Sequence, residues 1–249
     1  MKIILLVCCC AFLLNNCKSI KPDAPDTILI PEAGFKLVQH TYNKDKRLKN
    51  SLYTHSRKIE EYEFNTVALD HFISELRSSM HKWNGVGIAA NQVNKNIQIF
   101  IIEADRLSLW HDSLETVPFQ VFINPKITNV SYSKNNFWHG CLSANNEKLG
   151  NVATYDWIEY EAYDSKGDKQ RGRLSGFSAV IFQHEMRHLL GGTYLDKAME
   201  FVAVKDFYKK LTNNELTFFE KADDNLPLLL DDYVINKTLE ENYTINKLY

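Results

Sequence analysis

The residues best suited to chemistry in this sequence lie at positions 183–191, which read QHEMRHLLG. His184, Glu185 and His188 follow the spacing H-E-x-x-H, inside an apolar stretch that begins near Phe177. Because residues four apart on a helix share one face, both imidazoles would point the same way and could bind one divalent metal ion. Glu185 would then be close enough to take a proton from metal-bound water. The motif therefore indicates metal-dependent hydrolysis.

The same stretch predicts the helix that would carry the motif. Ile181 falls three residues before His184, so that Ile181, His184, Glu185 and His188 occupy positions i, i+3, i+4 and i+7. Gly191 and Gly192 make a reasonable helix end. The alternative is that both histidines are ordinary polar residues and Glu185 is a solvated charge. Short motifs recur by chance, so a metal site needs support from the rest of the chain.

Length and composition favour a globular protein with a substantial core. The 249 residues suffice for one large domain or two small ones, and 45% of them are hydrophobic. Lys and Arg number 29 against 31 Asp and Glu, which gives a formal net charge of −2. Because no basic stretch stands out, we expect no nucleic-acid partner.

The N-terminus has the features of an export signal. One Lys precedes an apolar run at 3–14, which is too short to span a bilayer but suits the central region of a signal peptide. The sequence around Cys17 resembles a bacterial lipoprotein processing site, although Asn16 replaces the usual small residue and Cys8, Cys9 and Cys10 are rival positions. The alternatives are a cleaved signal without lipid and an uncleaved hydrophobic anchor. We predict an exported, membrane-anchored lipoprotein of the bacterial envelope, lipidated at Cys17.

Cys141 is the one cysteine outside the first seventeen residues, so the folded domain has no disulfide framework available. A lone cysteine of this kind is either a small buried hydrophobic side chain or a thiolate used for metal binding or catalysis. It lies in the stretch FWHGCLS at 137–143.

Periodicity predicts the elements that would position these groups. Helices are predicted at 65–83 and 195–211, besides the histidine helix. Strands are predicted at 97–102, 119–123, 155–163 and 169–174, the second ending at Asn124 and Pro125 and the last two forming a hairpin. Two glycines in NGVGIAANQ at 84–92 predict a tight turn, but the stretch lacks the features of a phosphate-binding loop.

Three separated blocks together resemble the peptide deformylase family. They are GVGIAANQ at 85–92, GCLS at 140–143 and QHEMRHLLG at 183–191. The resemblance covers about residues 67–197 and keeps the order and approximate spacing of the blocks. It implies an α+β fold with antiparallel sheets packed around a central HExxH helix. It also implies an enzyme that removes the formyl group from N-formylmethionyl peptides. We expect the protein to be a monomer.

The resemblance implies roles for the residues of the metal site. Cys141, His184 and His188 would be the metal ligands, and the fourth position would be left for water. The family typically uses Fe(II), and Zn(II), Ni(II) or Co(II) can substitute, since the ligand set does not distinguish these ions. Glu185 would take a proton from the water and pass it to the departing amine.

Further roles are implied for residues that would contact the substrate. The side-chain amide of Gln92 and the backbone N–H of Leu142 would stabilise the charge that develops on the formyl oxygen. The apolar pocket for the methionine side chain would be lined by Val86, Gly87, Val180 and Ile181. For these apolar positions, simple core packing is the alternative.

The sequence departs from the family at two positions. In the family a Glu usually stands directly before GCLS, and here that residue is His139. The third block usually contains H-E-x-D-H, and here Arg187 replaces the Asp. Arg has no acceptor and adds positive charge near the ion, so we expect a competent but retuned site. An exported enzyme would also meet released formyl peptides or another substrate in place of nascent chains.

Two alternatives stay open for the function. The first is a zinc metallopeptidase that uses the same H-E-x-x-H, although one class of these needs a His where this chain has Tyr194, and Glu200 is the available downstream carboxylate. The second is a non-catalytic envelope lipoprotein with a degenerate deformylase fold.

The predicted domain organisation has four parts. Residues 1–17 form the signal peptide, 18–57 a tether that leads into the domain, 58–198 a deformylase-like metallohydrolase domain, and 199–249 a C-terminal helix and tail.

Overall fold

The computed structural model describes residues 28–104, 114–145, 147–221 and 226–246. The predicted signal peptide and the lipidation site at Cys17 lie outside the described residues. Within these ranges, no helix is both long enough and apolar enough to cross a bilayer.

The described residues form five α-helices and nine β-strands. The helices are α1 (Lys44–Arg47), α2 (Val67–Lys82), α3 (Gly176–Leu189), α4 (Val204–Thr212) and α5 (Leu239–Asn246). The strands are β1 (Gly87–Ala89), β2 (Ile99–Ala104), β3 (Val117–Val130), β4 (Lys134–His139), β5 (Lys148–Tyr155), β6 (Trp157–Tyr163), β7 (Lys169–Ser175), β8 (Glu200–Ala203) and β9 (Phe219–Lys221). Strands β1 to β7 follow one another without an intervening α-helix.

The strands form two sheets, and every pair of neighbouring strands is antiparallel. One sheet has the order β1-β2-β3-β6-β7 and the other the order β8-β5-β4-β9. The predicted hairpin before the histidine helix is present, since β6 pairs with β7 from Trp157 opposite Ser175 to Tyr163 opposite Lys169. The fold is α+β, as the resemblance implies.

Helix α3 contacts strands of both sheets and carries the H-E-x-x-H motif. It ends as predicted, with Leu190 as the C-cap and Gly191 in the left-handed region at φ +81°. From residue 179 to 189 every side chain is buried, including five polar ones. Since a helix that is buried all round is normally apolar, these polar groups need partners or a function.

Helix α2 precedes β1, a strand that contacts α3. Thr66 caps it by accepting a hydrogen bond from the Leu69 N–H at 3.2 Å. The predicted apolar face is buried and consists of Leu69, Phe72, Ile73, Leu76 and Met80. The chain leaves α2 through the glycine-containing stretch at 84–87 and enters β1, which is in contact with α3.

The predicted strand at 119–123 is too short, because β3 continues through Asn124 and Pro125 to Val130. The register shifts between Ile123 and Lys126, where one extra residue of β3 is accommodated and Asn124 has a φ of +49°. Such a bulge leaves a residue outside the ladder, so that a proline without an N–H is tolerated inside the strand.

The predicted helix at 195–211 is wrong over its first half. Residues Tyr194–Asp196 form a 3₁₀ turn, and Glu200–Ala203 form β8, which pairs with Lys148–Asn151 of β5. Only Val204–Thr212 is helical. Pairing with the edge of a preformed sheet overrides the local helical preference of this segment.

The segments on both sides of the motif region are packed against it. Ile28, Phe35 and Leu52 are buried, so the described part of the predicted tether is an ordered part of the folded body. After α4, Leu230 and Tyr233 join the core cluster that contains α3. The division of the chain at residues 57 and 198 stays a prediction.

Candidate metal centre

Three donors from two separate blocks converge in the structure. Cys141 follows β4, and α3 supplies His184 and His188. One ligand atom from each of these residues lies within 4.8 Å of the others, and they form the one such group found among the described residues. The Sγ of Cys141 is 3.3 Å from Nε2 of His188. The structure therefore brings together the three predicted metal ligands.

The protonation of these groups fits a divalent cation. Burial lowers the pKa of His184 to about 4 and that of His188 well below its usual range, so both imidazoles are neutral donors. Burial, and then the nearby carboxyl group of Glu185, raise the pKa of the Cys141 thiol. A positive charge is therefore needed before the thiolate forms. One thiolate and two imidazoles can hold a tetrahedral ion with an open fourth position.

Glu185 lies beside these donors without an ionic partner. Its side chain is buried, burial raises its pKa well above the usual value, and its Oε2 has no hydrogen-bond partner among the described residues. An unpaired buried carboxyl group is costly, and its place at the wall of a cavity makes it a candidate for proton transfer.

Gln92 and Leu142 face the same cavity from two different loops. The Ala89 N–H donates to Oε1 of Gln92 at 2.8 Å, which orients the amide. Its Nε2 donates to Oγ of Ser143 at 3.1 Å and lies 3.7 Å from Sγ of Cys141. Leu142 follows Cys141 directly and begins a 3₁₀ turn, Leu142–Ala144. The two predicted oxyanion donors are thus adjacent to the thiol.

Close packing, and not a tight turn, explains the two glycines of the first block. Neither Gly85 nor Gly87 has a positive φ, which corrects the predicted reason for their presence. A Cβ on Gly87 would overlap Oε1 of Glu185, and a Cβ on Gly85 would lie 2.8 Å from Cδ1 of Leu142. Each glycine leaves space for a residue of the candidate active site.

A cavity of about 250 Å³ opens beside these groups. Its wall includes the four residues predicted for the apolar pocket, which are Val86, Gly87, Val180 and Ile181, together with Gln92, Cys141, Leu142, His184 and Glu185. Residues that the sequence did not single out complete it, namely Trp83, Phe137, Lys148, Leu149, Phe177, Val204 and Tyr208. Val204 and Tyr208 are four apart on α4, a spacing that could have shown a shared face.

His139 takes the position where the family usually has Glu, and it contacts a metal-ligand candidate. Its Nδ1 is 3.2 Å from Nδ1 of His184, and its ring is buried. Burial first, and then His184, hold the pKa of His139 well below its usual range. One neutral ring can therefore donate to the other, which orients His184 as an outer partner of a metal ligand does.

The side chain of Arg187 pairs with a residue of the C-terminal segment. Its Nη1 is 2.6 Å from Oδ2 of Asp232, and its side chain is almost fully buried. A Cβ on Gly192 would lie 2.5 Å from Nε of Arg187, so this glycine is needed for the guanidinium to fit. The expected extra positive charge on α3 is therefore balanced by a carboxylate from outside the motif region.

The Arg187–Asp232 pair leads to a prediction about stability. Asp232→Asn should lower the free energy of unfolding by about 2–3 kcal/mol at pH 7, because it leaves a buried guanidinium without its counter-charge. Asp231→Asn is the matched control, since Asp231 pairs with Lys197 at a more exposed site, and it should cost less than about 1 kcal/mol. Urea denaturation of both variants measures the difference.

The pH dependence of this effect follows from the pKa of Asp232. Burial would raise that pKa, but the charge of Arg187 outweighs burial and holds it below the ordinary value of 3.8. The pair therefore stabilises the fold above that value, and its contribution is lost as the pH falls through the lower folded pKa. The difference in the free energy of unfolding between the wild type and Asp232→Asn should therefore disappear in acid. A difference that persists in acid would contradict this account, and so would an Asp231→Asn variant that is destabilised as much as Asp232→Asn.

The two other residues considered for a peptidase site have partners of their own, although the ring of Tyr194 lies 6.0 Å from that of His184, centroid to centroid. Glu200 is exposed on β8, where its Oε2 accepts a hydrogen bond from Asn151 at 3.2 Å. The hydroxyl of Tyr194 donates to the Lys148 carbonyl at 2.8 Å. Since Cys141 is the residue that completes a donor group with His184 and His188, the geometry does not favour the metallopeptidase alternative.

Comparison with known proteins gives one consistent family. Residues 42–203 match the family model described as Polypeptide deformylase. The chain is 32% identical over 139 residues to peptide deformylase 1 of Nitrosomonas europaea, covering 56% of this chain and 77% of that protein. It is 38% identical over 117 residues to peptide deformylase 2 of Rickettsia conorii, covering 45% of this chain and 57% of that protein.

Solved structures show the same fold. A class I type b peptide deformylase from Acinetobacter baumannii with bound Met-Ala-Ser aligns with a TM-score of 0.59 at 24% identity, over 65% of this chain and 96% of that one. A plant peptide deformylase aligns with a TM-score of 0.57 at 24% identity, over 75% of this chain and 92% of that one.

Proposed function

This chain belongs to the polypeptide deformylase family, hydrolases that remove the formyl group from N-formylmethionyl peptides, and we propose how its own residues perform that reaction. Cys141, His184 and His188 are the proposed metal ligands, and Glu185 is the proposed general base. The observation that carries the proposal is the convergence of a thiol and two imidazoles beside an unpartnered carboxyl group in one cavity.

Each proposed role follows from chemistry and position. Cys141, His184 and His188 would hold a divalent ion, which would supply the Lewis acidity that activates water. Glu185 accepts the proton of the attacking water and returns it to the departing amine, and the raised pKa of its carboxyl group suits a residue that must hold a proton between steps. Gln92 Nε2 and the Leu142 N–H donate to the oxygen on which negative charge develops.

We propose Fe(II) as the native ion, with Zn(II) or Ni(II) able to replace it. Thiolate and imidazole donors accept all three ions, so the choice depends on availability and oxidation. Metal analysis after anaerobic purification from cells tests this: iron at about one ion per chain supports it, and stoichiometric zinc without iron would overturn it.

The proposed substrate is an N-formylmethionyl peptide that binds with its methionine side chain in the apolar part of the cavity. Phe137, Phe177 and Tyr208 line that cavity beside Val180 and Ile181. Aromatic edges make favourable contacts with a thioether sulfur, which suits methionine. The relative from Acinetobacter baumannii was solved with Met-Ala-Ser bound.

We propose that the protein acts outside the cytosol, as a lipoprotein attached through Cys17, and that released formyl peptides are its substrates. The apolar run at 3–14 and the position of Cys17 support this proposal. Cell fractionation with mass spectrometry of the mature N-terminus tests it. A lipid-modified Cys17 in the membrane fraction is expected, and an unprocessed chain in the cytosol would contradict it.

Formate release from formyl-Met-Ala-Ser tests the reaction. The metal-loaded protein should release one formate per peptide, and acetyl-Met-Ala-Ser should remain intact, because we expect its added methyl group to crowd the site beside Cys141 and Glu185. Release of neither formate nor acetate, with both peptides still bound, would favour the non-catalytic alternative.

Gly87→Ala should lower the rate of formate release by about 100-fold, because its Cβ would overlap Oε1 of Glu185 and lie 2.7 Å from Cγ2 of Ile181. The new methyl group displaces the general base but removes no metal ligand. Metal content serves as the control and should change little. A rate equal to that of the wild type would show that Glu185 does not need the position seen in the structure.

A further inference from the structure

The segment at residues 38–40 lies between the two loops that carry the proposed oxyanion donors. The Val38 N–H donates to the carbonyl of Gln92 at 2.8 Å. Two residues on, the His40 N–H donates to the carbonyl of Ser143 at 2.7 Å. One short stretch of backbone therefore joins the loop after β1 to the loop after β4. These loops are far apart in the sequence, and the segment lies before the region that the sequence marked as catalytic.

Gln39 extends this link with its side chain. Its Nε2 donates to the Leu142 carbonyl at 3.2 Å, and its Oε1 accepts from the Asn145 N–H at 3.0 Å. The amide thus spans the 3₁₀ turn Leu142–Ala144 and contacts both of its ends. Asn145 is in the left-handed region at φ +57°, a conformation that needs support.

The backbone of Gln39 is held in turn by the segment that follows. Nδ2 of Asn50 donates to the Gln39 carbonyl at 2.8 Å. Oγ of Ser51, which is buried, donates to the carbonyl of Asn91 at 2.7 Å, next to Gln92. The backbone of Gln39 is therefore held in place, and its side-chain hydrogen bonds can restrain the turn Leu142–Ala144.

We infer that Gln39 is a positioning residue for the oxyanion hole: it fixes the turn that presents the Leu142 N–H and holds it in register with Gln92. This inference rests on the proposed function. Stabilisation of a developing oxyanion requires donors fixed within a few tenths of an ångström before the reaction, since donors that must reorganise lose their advantage. A hydrogen bond to the Leu142 carbonyl restrains the same residue whose N–H donates.

The test compares three variants of the full-length, metal-loaded protein. Gln39→Leu removes both side-chain hydrogen bonds at similar volume, whereas Gln39→Glu keeps an acceptor for the Asn145 N–H and loses the donor to Leu142. Asn43→Ala is the matched control, since the Asn43 side chain caps α1 in the same segment by accepting a hydrogen bond from the Lys46 N–H.

The expected result is a selective loss in the chemical step. Gln39→Leu should lower kcat about tenfold, while KM changes by less than about twofold. This loss is smaller than the roughly 100-fold loss expected when an oxyanion donor itself is removed, because the Leu142 N–H is still present but less well placed. Gln39→Glu, which sets a carboxylate oxygen against the Leu142 carbonyl, should lower kcat at least as far as Gln39→Leu, and Asn43→Ala should keep kcat. Bound metal should be equal in all four proteins. An unchanged kcat in Gln39→Leu, or a loss matched by lost metal, would overturn the inference.

Hydrogen exchange separates this inference from the proposed function. Backbone amides in the turn at 142–145 should exchange faster in Gln39→Leu than in the wild type and Asn43→Ala. Should the wild type release no formate, the proposed function fails, and the exchange rates still decide whether Gln39 fixes the turn. Equal exchange in all three proteins would overturn the inference whether or not formate is released.

Discussion

Cys141→Ser is expected to lose the metal ion and at least about 1,000-fold of the rate of formate release. The thiolate is the one anionic ligand among the three donors, and a serine hydroxyl is a weaker ligand with a shorter reach. The two imidazoles are neutral because burial lowers both of their pKa values, so they cannot replace the lost charge. Metal analysis and a formate assay on the same preparation measure both effects.

The control for this variant is the wild-type protein stripped with a chelator. Compared with the metal-loaded wild type, Cys141→Ser and the stripped wild type should each bind about one ion fewer per chain. They should show the same residual rate of formate release and the same fold by circular dichroism. If Cys141→Ser kept a full ion and its activity, the third ligand would be another residue. A metallopeptidase-like site built on His184 and His188 would then be the better description.

Glu185→Gln should reduce kcat by about 1,000-fold while the metal ion stays bound. The amide has nearly the same shape as the carboxylate but cannot accept a proton from water. Because Glu185 is absent from the ligand group of Cys141, His184 and His188, its substitution removes no donor. Single-turnover formate release and metal analysis separate the loss of proton transfer from loss of the ion.

Glu200→Gln is the matched control for this second variant. Glu200 is an exposed carboxylate on β8 that pairs with Asn151 and is not part of the cavity wall. Its substitution should leave kcat and metal content unchanged. A Glu185→Gln protein with wild-type kcat would mean that another group takes the proton. Equal loss of metal and activity would mean that Glu185 acts as a ligand.

The histidine helix could be predicted because its signals are local. The four-residue spacing of His184 and His188, the apolar stretch around them and the glycine at 191 all act within one helix. The hairpin of β6 and β7 could be predicted from the sequence for the same reason. The third ligand was different: nothing near Cys141 indicates a metal, and its role came from the resemblance of three blocks to one family.

Features that depend on distant contacts could not be predicted. Strand β8 exists because Glu200–Ala203 meets the edge of β5, and β3 passes through Pro125 because a bulge removes it from the ladder. The need for Gly87 comes from Glu185, about a hundred residues later in the chain. No local pattern encodes such pairs.

The two departures from the family illustrate the same limit. The sequence shows His139 and Arg187 but not their partners. In the structure His139 contacts His184, and Arg187 pairs with Asp232 of a segment for which the sequence offered no function. Substitutions that look disruptive in isolation are matched by other residues of the same chain.

The most direct test of the central claim is a titration of the metal-free protein with Fe(II) under anaerobic conditions, with formate release from formyl-Met-Ala-Ser as the readout. We predict that the rate rises linearly with added iron, reaches its plateau at about one ion per chain, and does not rise in Cys141→Ser. A metal-free protein that is already fully active, or a wild-type chain that binds one ion and releases no formate, would contradict the assignment.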